Sequence, residues 1–252
     1  MAITNTDITL GKGTLLFKLD DEPGQAGYFE LGNCPEFKIS METEKLEHIS
    51  SEEGIKKKDA EIVTQQKCKG SFTLDASKIE NLRLFAMALQ VNSATQTAGI
   101  AQTLDIIAAL DKWIKTGKMN LSNVVVKNSA ETVTYNLGTD YEINLVQGRL
   151  KALSLGAITD AQSLKVLCDY AQTIIKDVIG ATKSSLKGFI QFYGNPAYGR
   201  IQDLEGYVSL TPNGDLAFIG DDFTKFNFDV EFISHDNYFP GLYKLSDRGG
   251  VS

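Results

Sequence analysis

The sequence has few of the residues that build catalytic or metal centres. Its three cysteines, Cys34, Cys68 and Cys168, lie far apart and form no CxxC pair, and the only histidines are His48 and His235. Zinc sites use about four sulfur or imidazole ligands at short spacings, and an odd number of cysteines cannot form a complete disulfide set. We therefore expect no metal and no cofactor, and we interpret the cysteines as small buried or half-buried thiols.

Long apolar runs are also missing. No run reaches the roughly 18 residues that a membrane-spanning helix needs, so the sequence predicts no membrane partner. Met1 to Lys12 lack the basic and then apolar pattern of a secretory signal, which predicts folding in a cytoplasm. At 252 residues, with 42% hydrophobic and 23% charged residues, the chain can bury a core without disulfides.

A surplus of basic residues is absent as well. The net charge is −7, and residues 201–236 hold one base, Lys225, against these eight acids: Asp203, Glu205, Asp215, Asp221, Asp222, Asp229, Glu231 and Asp236. Duplex-binding proteins show the opposite bias, because basic side chains neutralise phosphates. We expect nucleic acid near this segment to be repelled rather than bound.

Acidic pairs are the main candidates for catalysis. Asp203 with Glu205, and Asp229 with Glu231, each share one face of a predicted strand, and two carboxyl groups can hydrolyse glycosides. That chemistry requires one desolvated carboxyl group, whereas these four alternate with apolar residues and are predicted to face water. We therefore predict that the protein is not an enzyme. The alternative, a glycosidase, requires activity that Glu205→Gln or Glu231→Gln abolishes.

The most frequent pattern in the sequence is an alternation of apolar and polar residues. It runs through Glu36–Glu42, Thr132–Leu137 and Phe226–Phe232, and it is typical of strands with one buried face. The sequence thus predicts a mainly-β fold. Asn213-Gly214 predicts a hairpin turn between two such runs.

Helical patterns are few. Ser77 to Glu80 fit a capping box, followed by an apolar stripe at helical spacing. A weaker helix is predicted from Thr103 to Lys115, after a small and polar linker. Residues 160–179 fit either a helix, which periodicity favours, or a strand.

One charged segment is predicted to project from the fold. Two alternating runs flank Glu42–Glu61, which contains seven acids (Glu42, Glu44, Glu47, Glu52, Glu53, Asp59, Glu61) and four bases (Lys45, Lys56, Lys57, Lys58). Its middle has no apolar residue and cannot belong to a core. Residues 36–75 are therefore predicted to form a long hairpin with a projecting, mobile arm, the kind of element that can add strands to a neighbour.

The chain resembles the tail tube proteins of long-tailed bacteriophages. The resemblance rests on patterns of residue type in Phe29–Ser40, Glu44–Ser51, Gly54–Asp59, Gly70–Asp75 with the helix at 77–90, Lys187–Asn195 and Gly220–Val230. It implies a tail-tube-type β-sandwich or barrel with a long stacking hairpin and one flanking helix.

The middle of the chain departs from that pattern. Gly138–Ile143, Gly148–Leu150, Gly156–Asp160 and Leu164–Tyr170 resemble a small β module found in phage virion proteins, which implies a strand within 160–179. The implied organisation is a discontinuous tube core at 1–92 and 184–252, a linker with a possible helix at 93–118, and an inserted β module at 119–183 on the outside of the tube.

The resemblance also implies a function. Subunits would form hexameric rings that stack into a tail tube, a structural virion assembly built in the host cytoplasm, through which DNA passes during ejection without specific binding. The implied partners are further copies of the chain, a tape-measure protein, and terminator and distal tail or tip proteins. The ring-stacking arm would use Glu44, Glu47, Ser51, Glu52, Glu53, Lys56, Lys57, Lys58 and Asp59, and the acidic lumen-facing residues would come from Asp203, Glu205, Asp229 and Glu231.

Two further functions stay open at this point. One is the inner tube of a contractile injection system, which neighbouring genes or a surrounding sheath would identify. The other is a carbohydrate- or receptor-binding β module, in which Tyr135, Tyr141 and Tyr170 would stack against sugars.

Overall fold

A computed structural model describes residues 8–20, 27–50, 54–235, 238 and 240–251. The protein is mainly β, with antiparallel sheets and, in this described part, one helix. The elements are β1 (Gly13–Leu19), β2 (Phe29–Gly32), β3 (Glu36–Ser50), β4 (Lys57–Leu74), α1 (Ile79–Phe85), β5 (Val91–Gln96), β6 (Gly99–Ile107), β7 (Trp113–Lys115), β8 (Leu121–Asn128), β9 (Thr134–Tyr135), β10 (Tyr141–Asn144), β11 (Arg149–Ala152), β12 (Ser163–Tyr170), β13 (Thr173–Val178), β14 (Leu186–Gly194), β15 (Gly199–Asn213), β16 (Phe226–Phe232) and β17 (Tyr243–Val251).

The chain divides into two compact units. The first unit comprises Met1–Val91 with Val178–Ser252, and the second comprises Asn92–Asp177. The first unit holds one sheet in the order β2-β1-β14-β15-β16-β4-β3, with β17 also paired to β15. The second unit holds the sheets β6-β12-β8-β9 and β10-β11-β7, and β5 pairs with β13.

The sheet of the first unit curls around an aromatic core. In β16, Phe226, Phe228 and Val230 are buried while the residues between them are more exposed, as the alternation predicts. Phe228 stacks on Phe72 of β4 with ring centroids 5.0 Å apart. Phe37 of β3 and Phe192 of β14 belong to strands with three other strands between them in the sheet, yet their ring centroids are 5.8 Å apart. The sheet therefore curls until β3, at its end, approaches β14 across the core.

Strand β15 pairs with three other strands. On one side it pairs with β14, and on the other its first half pairs with β17 and its second half with β16. Gly206 lies where the pairing of β15 passes from β17 to β16. A Cβ atom at this position would be 2.5 Å from the Phe232 ring. Because real Cβ contacts are longer, only glycine lets this ring pack against the strand.

The predicted helix forms, but without the predicted cap. Helix α1 begins at Ile79 after the N-cap residue Lys78, which makes no side-chain capping hydrogen bond. The prediction of a capping box at Ser77 is therefore wrong. Asn81 anchors the helix instead, because its buried side-chain amide donates to the carbonyl oxygens of Leu31 at 2.8 Å and Ala76 at 2.7 Å.

The second predicted helix is wrong. Thr103 to Lys115 contains the end of β6 and all of β7, and residues 93–118 are strands of the second unit rather than a linker. The buried residues of β6 and its end, Ile106 and Ala108, are two apart, whereas Ile107 is 65% exposed. Pairing of β6 with β12 satisfies the backbone, and this tertiary pairing outweighs the helical spacing of the apolar residues.

The ambiguous residues 160–179 form strands β12 and β13. Leu164, Val166 and Cys168 alternate into the core of the second unit, so the strand interpretation is right. Before β12, Thr159 and Gln162 form a turn, in which Gln162 Oε1 accepts from the Thr159 backbone N–H at 2.9 Å.

Candidate self-assembly surfaces

The long predicted hairpin is present and has a two-stranded distal part. Strands β3 and β4 pair from Glu36 opposite Thr73 to Ser50 opposite Lys57. Strand β16 joins β4 only along residues 68–74. We call residues 42–50 and 57–67, which pair only with each other among the described strands, the arm. Nine residues of strand extend about 30 Å at ~3.3 Å per residue, so the arm reaches well past the sheet.

Charged side chains on the arm pair with one another. Glu61 contacts both Lys45 and Lys58, and Lys58 also contacts Glu47 at 2.5 Å. These two ammonium groups lower the pKa of Glu61 to about 2, mainly through direct hydrogen bonds. Glu61 and Glu47 lie directly opposite each other, and the lysines offset the repulsion between their carboxylates.

The predicted stacking residues fall at different places on this hairpin. Glu44 pairs with Lys67 at 2.8 Å, and Asp59 contacts His48 at 2.5 Å. Lys56 and Lys57 are exposed near the tip. Ser51, Glu52 and Glu53 lie outside the described residues.

An apolar pair on the arm was missed from sequence. Leu46 and Ile62 lie directly opposite each other, and each is 64% exposed. His48 and Ala60, the next pair on the same face, are also exposed. The many charged residues of the segment make this face hard to recognise in the sequence. The spacing of Leu46 and His48, two residues apart in a strand, could have indicated that they share a face. The arm therefore has a charged face and a partly apolar face.

Two long strand edges are open. In the described part of the chain, β3 pairs only with β4, and β17 pairs only with β15. Unpaired backbone groups along an edge are a template for pairing with another chain. The distal part of β3 carries mostly exposed residues, so nothing in the described chain covers that edge.

The four predicted lumen acids share one face of the sheet, opposite the core. Cross-strand register places Ser209 beside Glu231 and Thr211 beside Asp229, while the intervening Val208 and Leu210 are buried in the core. Asp203 and Glu205 continue the same alternation along β15. The sequence predicted each pair, Asp203 with Glu205 and Asp229 with Glu231, on one face of its own strand, and the register adds that the two pairs share a face of the sheet.

The expectation that all four acids face water is wrong for Asp203, which is 7% exposed. Its Oδ2 contacts Arg248 Nε at 2.6 Å, and its Oδ1 accepts from Arg248 Nη2 at 2.9 Å and from the Gly194 backbone N–H at 3.0 Å. This pairing raises the pKa of Arg248. Strand β17 brings Arg248 to the site from nearly fifty residues away, which no local pattern reveals.

The other three acids differ in their surroundings. Glu205 is half-buried, lies opposite Lys244 and accepts a hydrogen bond from Tyr238 at 3.2 Å. Asp229 and Glu231 are exposed and line a concave surface of about 640 Å³ with Lys38 and Lys69. This face therefore carries interleaved charges of both signs rather than a continuous acidic surface.

The connection between β15 and β16 is a long loop instead of the predicted two-residue turn. Strand β15 ends at Asn213 and β16 begins at Phe226. Three apolar side chains in between, Phe218, Ile219 and Phe223, are 83%, 97% and 89% exposed. Asn213 pairs with Asn227 at the end of the β15–β16 ladder, and the residues between them in the chain do not pair in this ladder.

The described residues contain neither a metal-binding cluster nor, at Cys68 and Cys168, an exposed thiol. No group of three or more His, Cys, Asp or Glu side chains there is placed to hold a metal ion. Burial raises the pKa of Cys68 and Cys168, which keeps these thiols protonated and unreactive. No helix in the same residues is long and apolar enough to cross a membrane.

The protein is mainly β, and its candidate sites are the arm, the open edges of β3 and β17, and the charged face of the sheet. The chain belongs to the family described as Protein of unknown function UCP028589, whose model matches residues 8–238. No curated protein matches the chain.

Proposed function

We propose that the protein is a tail tube subunit of a bacteriophage, which self-assembles into stacked hexameric rings that conduct DNA during ejection. The observation that carries this proposal is the arm, a two-stranded ribbon that extends about 30 Å past its third strand. Isolated two-stranded ribbons are marginally stable in water. Contact with another subunit would stabilise this one.

Ring formation is supported by the open edges of β3 and β17. A heterologous contact between different surfaces of identical subunits, repeated by rotation, closes a ring. Edge-to-edge pairing supplies such a contact, because backbone donors and acceptors of one strand complete those of another. In this proposal the arm makes the separate, axial contact between rings.

We further propose that the face carrying Glu205, Asp229 and Glu231 lines the bore. Lysines on this face attract phosphate, but Lys69 is paired with Glu42 at 2.8 Å and lies near Glu231. Each such pairing reduces the attraction of DNA to the wall. The DNA would thus adhere less where basic groups of this face are paired, as Lys69 is with Glu42 and Lys38 is with Glu36. Tape-measure, terminator and tip proteins are the partners expected inside and at the ends of this tube.

Deletion of residues 49–58, joined by a two-residue turn, tests the role of the arm. We expect a folded subunit, because none of the described residues among them, 49–50 and 54–58, belongs to a core cluster. We also expect an inability to form long tubes by negative-stain microscopy. A matched control removes Leu155, an exposed apolar side chain of the second unit, by Leu155→Ser, which should leave tube length unchanged. Tubes of normal length from the deletion variant would contradict the proposed stacking contact.

A further inference from the structure

The second unit contains a basic pocket that the proposed function does not use. The pocket has a volume of about 440 Å³. Lys115, Lys118 and Arg149 line it, and no acid is found among the described residues that do so. No ion pair joins these three basic groups to a carboxylate in the described chain. Three basic residues without a carboxylate partner in the described chain therefore line one concavity, in a chain of net charge −7.

Strand register makes this arrangement unfavourable without a ligand. Lys115 of β7 lies directly opposite Arg149 of β11, and like charges in this position destabilise a sheet. The same small sheet compensates its next basic residue, because Lys151 lies opposite Glu142 and pairs with it at 2.7 Å. The like-charged pair Lys115–Arg149 thus lines the pocket, whereas the ion pair Lys151–Glu142 does not.

The pocket is also held in shape by its backbone. Thr116 Oγ1 lies 2.9 Å from the Gly148 carbonyl oxygen and 3.1 Å from the Lys118 carbonyl oxygen. Gly148 has a φ of 59°, and a Cβ there would overlap the Lys118 carbonyl oxygen at 1.6 Å. The Lys118 ammonium group lies 5.0 Å from the centre of the Tyr170 ring, a cation–π contact that orients this side chain. These contacts fix the backbone at Lys118 and at Gly148, the residue before Arg149.

We propose that this pocket binds a phosphate monoester. An arginine fork can hold two phosphate oxygens at once, and lysines add point charges beside it. A dianionic phosphate offsets most of the positive charge of three cations, whereas a single carboxylate offsets only a third. The volume leaves room for a small organic group on the phosphate, against Ile175 and Gln147 at the wall.

Trp113 provides a direct reporter, because it is the single tryptophan of the chain and lies in β7 two residues from Lys115. The full-length protein is titrated with glucose 6-phosphate, inorganic phosphate, gluconate and glucose at constant ionic strength, with tryptophan fluorescence and calorimetry as readouts. We expect glucose 6-phosphate to bind at least about tenfold more tightly than gluconate or glucose. Inorganic phosphate reports how much of this affinity the phosphate group alone supplies.

Variants test the assignment of the site. Arg149→Gln and Lys115→Gln should each weaken binding of glucose 6-phosphate at least about tenfold. Lys165→Gln, which removes a lysine paired with Glu131 elsewhere in the same unit, should leave binding unchanged. Without ligand, Lys115→Gln should have an unchanged or higher melting temperature, because it relieves the repulsion from Arg149. This result shows that lost binding does not reflect unfolding.

Three results would overturn the proposal. They are no binding of either phosphate probe, equal binding by the wild type and the two pocket variants, and tighter binding of gluconate than of glucose 6-phosphate. Each of them is independent of whether the subunit forms tubes.

Discussion

Leu46 and Ile62 face each other across the two strands of the arm while each keeps 64% of its surface exposed. A cross-strand apolar pair that contacts no core is a candidate for burial in a partner. Around it, charged groups pair within the arm, so under the proposed function the apolar face is the part of the arm that we expect to contact another subunit.

The double variant Leu46→Ser/Ile62→Ser tests this face. We expect loss of tube elongation with a change in the free energy of unfolding of no more than about 0.5 kcal/mol, because exposed substitutions cost little. Sedimentation measures assembly and urea denaturation measures stability. Leu155→Ser, in the second unit, is the control. Tubes that form as readily from the double variant would exclude the apolar pair from the contact.

Protonation of Glu61 should loosen the arm at low pH. Its pKa is lowered from 4.5 to about 2 by Lys45 and Lys58, so its ionised form stabilises the folded arm above about pH 4.5. That contribution is lost as the pH falls toward 2. Carbon-13 NMR of the carboxyl group should show a titration midpoint near 2, and the Ile62 methyl signals should shift over the same range.

Glu61→Gln is the matched control for this titration. In that variant, the Ile62 methyl signals should no longer follow a transition near pH 2. A midpoint for Glu61 close to 4.5 in the wild type would show that the two lysines do not hold its carboxylate.

The Asp203–Arg248 contact should stabilise the first unit. Asp203→Ala leaves the Gly194 N–H without its acceptor and leaves the Arg248 guanidinium with the Gly194 carbonyl oxygen at 3.2 Å, which costs about 1–3 kcal/mol. Hydrogen exchange of the β15 and β17 amides should be correspondingly faster. Asp229→Ala, at an exposed position of the same face, should change exchange little. Equal effects of the two substitutions would contradict a structural role that is specific to Asp203.

Gly206 should tolerate no side chain. Gly206→Ala places a methyl group 2.5 Å from the Phe232 ring, and such overpacking costs about 1–3 kcal/mol. Gly220→Ala is the control, because its Cβ would meet nothing within 4 Å. Thermal unfolding of the first unit, followed by tyrosine circular dichroism, compares the two. A melting temperature for Gly206→Ala equal to that of the control would show that the ring moves aside freely.

Local patterns predicted the strands best where one face meets a core. Phe226, Phe228 and Val230 alternate in sequence and are buried as that alternation requires. The same logic failed at Thr103–Lys115, because apolar residues at helical spacing can also occupy a strand whose two faces are unequally covered. Ile107 of that segment is 65% exposed, whereas its neighbours Ile106 and Ala108 are buried.

Contacts between distant residues could not be predicted in this way. The charged segment at 42–61 indicated an arm, but its ion pairs depend on the β3–β4 register, which bulges shift at two points. Likewise, Asp203 alternates with core residues as a solvent-facing acid would, and its burial depends on Arg248 of β17 together with the Gly194 N–H. The sequence alone carries no signal for that partner.

Negative-stain electron microscopy of the purified full-length chain at high concentration tests the central claim most directly. The account predicts six-membered rings and stacked tubes, whose length falls when residues 49–58 are deleted. Discrete monomers at high protein concentration, with no rings in any field, would contradict it.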